Sequence, residues 1–155
     1  MSLRLRWQMN IITLRTGMEK EFEIIDHTAD VGIKAYGADM KEAFANAAKA
    51  MFSLITELDN VEELTHRDVE LTAPDQESLL VKWLNELIYL FDVENIVFKR
   101  FDITQLSQTH LKARSYGRKV DSSKHELKMG VKAATYHMLK VDQDDGYKVQ
   151  VLFDI

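Results

Sequence analysis

The residues from Leu79 to Phe91 constrain most strongly what this chain can fold into. Leu80, Trp83, Leu84, Leu87, Ile88 and Phe91 recur at three- and four-residue steps, and Leu79, Tyr89 and Leu90 widen the stripe until both flanks of a helix need cover. Pro74 and then Asp75 supply a stop and a side-chain acceptor for the first free amides, so the helix begins there. Lys82, Asn85 and Glu86 interrupt the run, which suits an amphipathic helix and is costly in a bilayer. The spacing therefore predicts a central helix and no membrane span.

A second helix is predicted from Asp39, which stands three residues before Glu42 in capping-box spacing. Ala43, Phe44, Ala47, Ala48, Met51, Phe52 and Ile55 give it one buried stripe. Strand patterns surround the two helices: 21–25, 31–36, the alternating Val69, Leu71 and Ala73, and 96–106 with 110–117 as a hairpin turning at Ser107-Gln108-Thr109. One register irregularity is expected near Phe101. Residues 117–126 are polar and turn-rich, and two further strands, 131–141 and 147–155, flank the turn Asp142-Gln143-Asp144-Asp145-Gly146. Strands mixed with two main helices predict an α+β fold, mostly antiparallel, in one compact domain over 19–155. The order divides into two pieces, each a helix followed by strands.

Residues 1–18 carry Arg4, Arg6 and Arg15 and no acid, and the apolar run from Met9 to Leu14 is too short and interrupted for a secretory core. They are read as a mobile N-terminal extension or leader, with Met9 and Met18 as alternative starts. The chain has no cysteine, which excludes disulfides, thiolate zinc, iron–sulfur clusters and a cysteine nucleophile. A cytoplasmic location is expected, and any metal must be held by oxygen or imidazole. Twenty basic against 25 acidic side chains, a formal charge of −5, argue against a broad phosphate-binding face. The six glycines are scattered singly and form no phosphate-cradling loop.

The last residues alternate as a strand does: Val149, Val151, Phe153 and Ile155 on one face, Lys148, Gln150, Leu152 and Asp154 on the other. Such a strand would hold the α-carboxylate of Ile155 one residue from the carboxylate of Asp154. A third carboxylate from the loop Asp26-His27-Thr28-Ala29-Asp30 would complete an oxygen-rich, thiol-free site suited to a divalent cation such as calcium, magnesium or manganese. The same residues also read as a solvated edge aspartate and a turn former. His27 reads as a loop histidine or a catalytic base, and His27, His125 and His137 fit no zinc spacing. Lys128, Lys132 and Lys140 read as outward residues of a strand, as do Lys112 and Arg114 on the hairpin.

The stretch Phe22-Glu23-Ile24-Ile25-Asp26-His27-Thr28-Ala29-Asp30-Val31-Gly32-Ile33 resembles the opening motif of the archease family. Residues 125–128, 131–141 and 149–155 are similar to that family's later signatures, in the same order and with an ending at Ile155. Residues 1–18 lie outside the resemblance, and Met129-Gly130 stand where a more polar, strand-friendly pair is expected. The resemblance implies a strand-helix-strand-strand type of α+β fold and a role as activator of the RtcB-type RNA ligase of tRNA splicing and RNA repair. Such proteins promote guanylylation of the ligase with GTP and divalent metal, sustain its multiple turnover and in some members broaden its nucleotide use. They are protein cofactors rather than catalysts, and they meet RNA only through the ligase. Carried over by motif, the metal site falls on Asp30, Asp154 and the terminal carboxylate of Ile155, calcium being the expected ion. Asp26, His27 and His137 are expected beside it, facing the partner or the metal's ligands. The rival reading is a general metal-binding or chaperone-like module for RNA-processing proteins.

Overall fold

The computed structural model describes residues 20–26 and 30–155; the extension expected over 1–18, and His27, lie outside the described residues. Among the described residues seven strands and two helices follow one another as β1 (Phe22–Asp26), β2 (Val31–Gly37), α1 (Met40–Ile55), β3 (Thr65–Thr72), α2 (Gln76–Glu94), β4 (Ile96–Leu106), β5 (His110–Lys119), β6 (Ala133–Asp142) and β7 (Tyr147–Asp154), with a short 3-10 turn, Leu58–Asn60, after α1. The strands form two antiparallel sheets, one ordered β1-β2-β7-β6 and the other β3-β5-β4. This is the predicted α+β class. The division into two sheets was not legible, because alternation along a strand says nothing about its neighbours.

Both helices start where their caps predict. The Asp39 carboxylate accepts the Glu42 amide at 2.8 Å, and Glu42 reaches back to the Ala38 amide at 2.6 Å. Asp75 accepts the Ser78 amide at 2.7 Å, and α2 ends at Asn95, whose left-handed backbone (φ 59°) closes the last turn. Helix α1 packs against β2 and β7 of one sheet and β4 of the other, so the helices fill the space between the sheets. Phe52 meets Phe91, Phe98 and Phe101 there, and the fully buried Trp83 packs edge-on to Phe101 while its indole N–H donates to the Phe44 carbonyl at 3.1 Å. Each such ring contributes about 1.5–3 kcal/mol by leaving water.

Three local readings are corrected. Tyr89, read as widening the buried stripe of α2, is 56% exposed, while Leu79 and Leu90 are buried. Strand β3 begins at Thr65, four residues before the alternating stretch, because the polar 65–68 segment is held by pairing with β5. The β4–β5 ladder shifts register twice, at Phe98/Arg100 and Ile103/Gln105, on either side of Phe101. Both faces of β7 are covered in part, since Gln150 and Leu152, on the strand face opposite Val151, are buried as well. The Leu152 side chain lies across Gly32, where an added Cβ would stand 2.4 Å from Leu152 Cδ2. Residues 117–119 continue β5, whereas Met129-Gly130 fall in irregular chain before β6. Among the described residues no helix is long and apolar enough to cross a membrane.

Candidate metal centre at one end of the four-stranded sheet

Strand β7 pairs with β2 along Val31–Phe153 to Gly37–Tyr147, so residues far apart in sequence share one end of the sheet. Val31 and Phe153 close that ladder, and Asp30 and Asp154 are the next residues on each side. Asp26, the last residue of β1, pairs with Val31 and is exposed at the same end. Asp30 is half-buried, with its Oδ1 withdrawn from solvent. Asp154 is exposed, and its main-chain carbonyl accepts the Lys132 amide at 2.8 Å while Ala133 pairs with it from β6. Ile155 follows, 43% exposed.

Asp30, Asp154 and Ile155 therefore meet at one end of the sheet, with Asp26 beside them. Among the described residues no three His, Asp or Glu side chains are grouped to hold a metal. The donor set of two aspartates and the Ile155 carboxylate is all hard oxygen, which fits calcium or magnesium and suits soft metals poorly.

His137 lies elsewhere on β6. Thr135 pairs with Leu152 and Lys140 with Gln150, so five residue steps on β6 face two on β7 and three residues are extra. His137 falls in that interruption, exposed, its amide donating to Thr135 Oγ1 at 3.3 Å. Met138 takes a left-handed backbone (φ 55°), and its carbonyl accepts Gln150 Nε2 at 2.9 Å, which folds the interruption over the outer side of β7. Tyr136 and Met138 project from it, 61% and 48% exposed. His125 belongs to another part of the fold: it is buried, its Nδ1 accepts the Asp121 amide at 2.9 Å, and its Nε2 lies 3.1 Å from the Asn60 carbonyl. Lys128, Lys132 and Lys140 are exposed, but only Lys140 lies in a strand, since β6 begins at Ala133, after the other two.

A concavity elsewhere on the fold is chemically unlike this end. It lies on the three-stranded sheet, lined by Asp68, Glu70, Asp102, Lys112, Arg114 and Tyr116. Arg114 grips Asp68 at 2.7 and 3.1 Å and holds its carboxyl below the usual range, and Arg100 spans Glu63 and Asp102 while lying 3.8 Å over the Tyr116 ring. These cations are matched locally by acids, so the face offers no continuous track for a phosphate backbone.

Sequence reasoning overlooked one residue beside the acidic end. Asn85, on α2, exchanges two hydrogen bonds with the backbone of Ala134. Its signal in the sequence was an amide interrupting an apolar helical run, as Lys82 and Glu86 also do.

Comparison with known proteins follows the same lines. The Archease protein family (MTH1598/TM1083) matches residues 22–155. Protein archease of Methanosarcina mazei is 41% identical over 141 residues, covering 88% of this chain and 97% of that protein. The solution structure of Methanobacterium thermoautotrophicum protein 1598 superposes with a TM-score of 0.76 at 40% identity, over 87% of this chain and 99% of the other. The crystal structure of an archease, described as a possible chaperone, from Thermotoga maritima shares the fold, with a TM-score of 0.57 at 22% identity over 86% and 96% of the two chains. The chain belongs to the archease family.

Proposed function

We propose that this archease-family chain is a protein activator of an RtcB-type RNA ligase, acting in the cytoplasm and meeting RNA only through the ligase. The observation that carries the reading is the convergence of Asp30 and Asp154 from distant strands at one sheet end, next to Ile155. Asp30, Asp154 and the Ile155 carboxylate would hold a divalent cation, calcium first and magnesium or manganese otherwise. When bound, such an ion supplies the positive charge that lets three anionic groups sit together.

The chain's own part is positional. The β2–β7 ladder fixes where the two aspartates leave the sheet, and β6 holds the Asp154 main chain from the other side. A preformed acidic tip of this kind can dock at the nucleotide and metal site of a ligase and favour the arrangement in which its histidine is guanylylated. Electrostatic placement suffices for a phosphoryl-transfer centre, so the activator needs no nucleophile or base of its own. Asp26 and His27 belong to the docking surface in this reading. His137, further along β6, contacts the partner rather than the ion.

The test is guanylylation of the ligase by GTP with manganese, measured with and without the chain. Faster and more complete guanylylation supports the activator; an unchanged rate with folded chain overturns it. A second reading, a general metal-binding or chaperone-like module for RNA-processing proteins, is favoured by the exposed Tyr136 and Met138. It predicts capture of unrelated RNA-processing proteins and no effect on guanylylation.

A further inference from the structure

We propose that Asn85 is a positioning residue for the acidic end of the four-stranded sheet, clasping the edge strand β6 to the central helix. The inference rests on the reading of that end as the working surface.

Among the described residues β6 is an edge strand, so every second residue turns its peptide groups away from β7. At Ala134 one side chain takes both. The Ala134 amide donates to Asn85 Oδ1 at 2.8 Å, and Asn85 Nδ2 donates to the Ala134 carbonyl at 3.3 Å. An asparagine amide carries the same donor and acceptor as a peptide group, so Asn85 serves as a strand partner one residue long.

What this clasp holds is the support of Asp154. Ala134 pairs with Phe153, Ala133 pairs with Asp154, and the Lys132 amide donates to the Asp154 carbonyl at 2.8 Å. On this side of the interruption the β6–β7 ladder is only Ala133 to Thr135, because register is lost before Lys140. So short an edge segment has little pairing of its own to resist fraying. Asn85 joins it to a fixed body: Trp83, two residues earlier on α2, is fully buried and bonded to the Phe44 carbonyl of α1. The connection runs from the helix layer through Asn85 to Ala134, and from there to Asp154.

Two variants and two readouts test this. In Asn85→Ala, the amides of Lys132 and Ala134 should exchange with solvent roughly tenfold faster, while those of Ile33 and Val151 stay at wild-type rates. Calcium affinity by calorimetry should fall by roughly tenfold, as the loosened carboxylate must be ordered on binding. Asn85→Asp keeps an acceptor for the Ala134 amide and loses the donor, so exchange at Lys132 should rise by less than in Asn85→Ala. If Asn85→Ala does not fold, Asn85→Asp decides, and wild-type exchange at Lys132 in that variant overturns the proposal. Unchanged Lys132 exchange in folded Asn85→Ala would reduce Asn85 to a cover for a strand edge. Uniform acceleration through β2 and β7 would make its role general stability, and faster Lys132 exchange with unaltered calcium binding would deny that the clasp reaches the site. Should wild-type protein bind no calcium, the metal reading fails, and the exchange data alone judge Asn85.

Discussion

Asp30 and Asp154 each lie one residue beyond the Val31–Phe153 pair that closes the β2–β7 ladder, so two carboxylates 124 positions apart in sequence leave the sheet side by side. In the proposed site their hard oxygen donors suit a divalent cation. Calcium should therefore raise the melting temperature, by the equivalent of about 2.7 kcal/mol at a hundred times its dissociation constant. Asp154→Asn should abolish the rise. Adding one glycine after Ile155 should weaken calcium binding by displacing the terminal carboxylate, and unchanged affinity by calorimetry would remove Ile155 from the site.

Tyr36 should resist alkali. Its phenol donates to Glu23 Oε2 at 2.5 Å, and burial first, then that carboxylate, pushes its pKa far above the ordinary phenol range. Folding therefore favours the protonated form. The stabilising contribution is complete below about pH 10 and is lost as pH rises beyond it. Ultraviolet titration should show one of the five tyrosines ionising only as the chain unfolds, and Tyr36→Phe should remove that late step and flatten the alkaline loss of stability.

Acid should act on the three-stranded sheet and its borders. Hydrogen bonds from Arg114 to Asp68, from His110 to Glu70 and from Arg118 to Glu62 hold these carboxyls below their usual values. Their contribution is present above about pH 4 and is lost as pH falls through the lowered values. All three are exposed, so each effect is small and salt-sensitive. Melting temperature followed from pH 6 to pH 2 should fall in that window, less steeply for Asp68→Asn.

Much of the fold was legible because its signals are local. The caps Asp39 and Asp75 and the turn at Ser107-Gln108-Thr109 are each set by atoms within a few residues. What escaped depends on distant partners. Whether Tyr89 is covered depends on what lies over α2, and the burial of Gln150 depends on an interruption in β6 that alternation along β7 does not reveal. For the proposed site, chemistry and motif named Asp30, Asp154 and Ile155 as candidates, and their shared sheet end emerges only from the β2–β7 register. Asn85 was not, since its partner is a backbone group 49 positions away.

Gly117 sits close against the backbone of β4 in the three-stranded sheet. An added Cβ there would stand 1.9 Å from the Val97 carbonyl oxygen and 2.7 Å from Phe98 Cα, both main-chain atoms that cannot swing aside. Gly117→Ala should destabilise by about 3 kcal/mol, read as a lowered denaturation midpoint, with calcium affinity per folded molecule retained.

Multiple-turnover RNA ligation by an RtcB-type ligase with GTP and manganese, supplied with wild-type chain or with Asp30→Ala shown to be folded by circular dichroism, tests the central claim most directly. The wild-type chain should accelerate turnover and the variant should not. Full acceleration by folded Asp30→Ala would contradict the account.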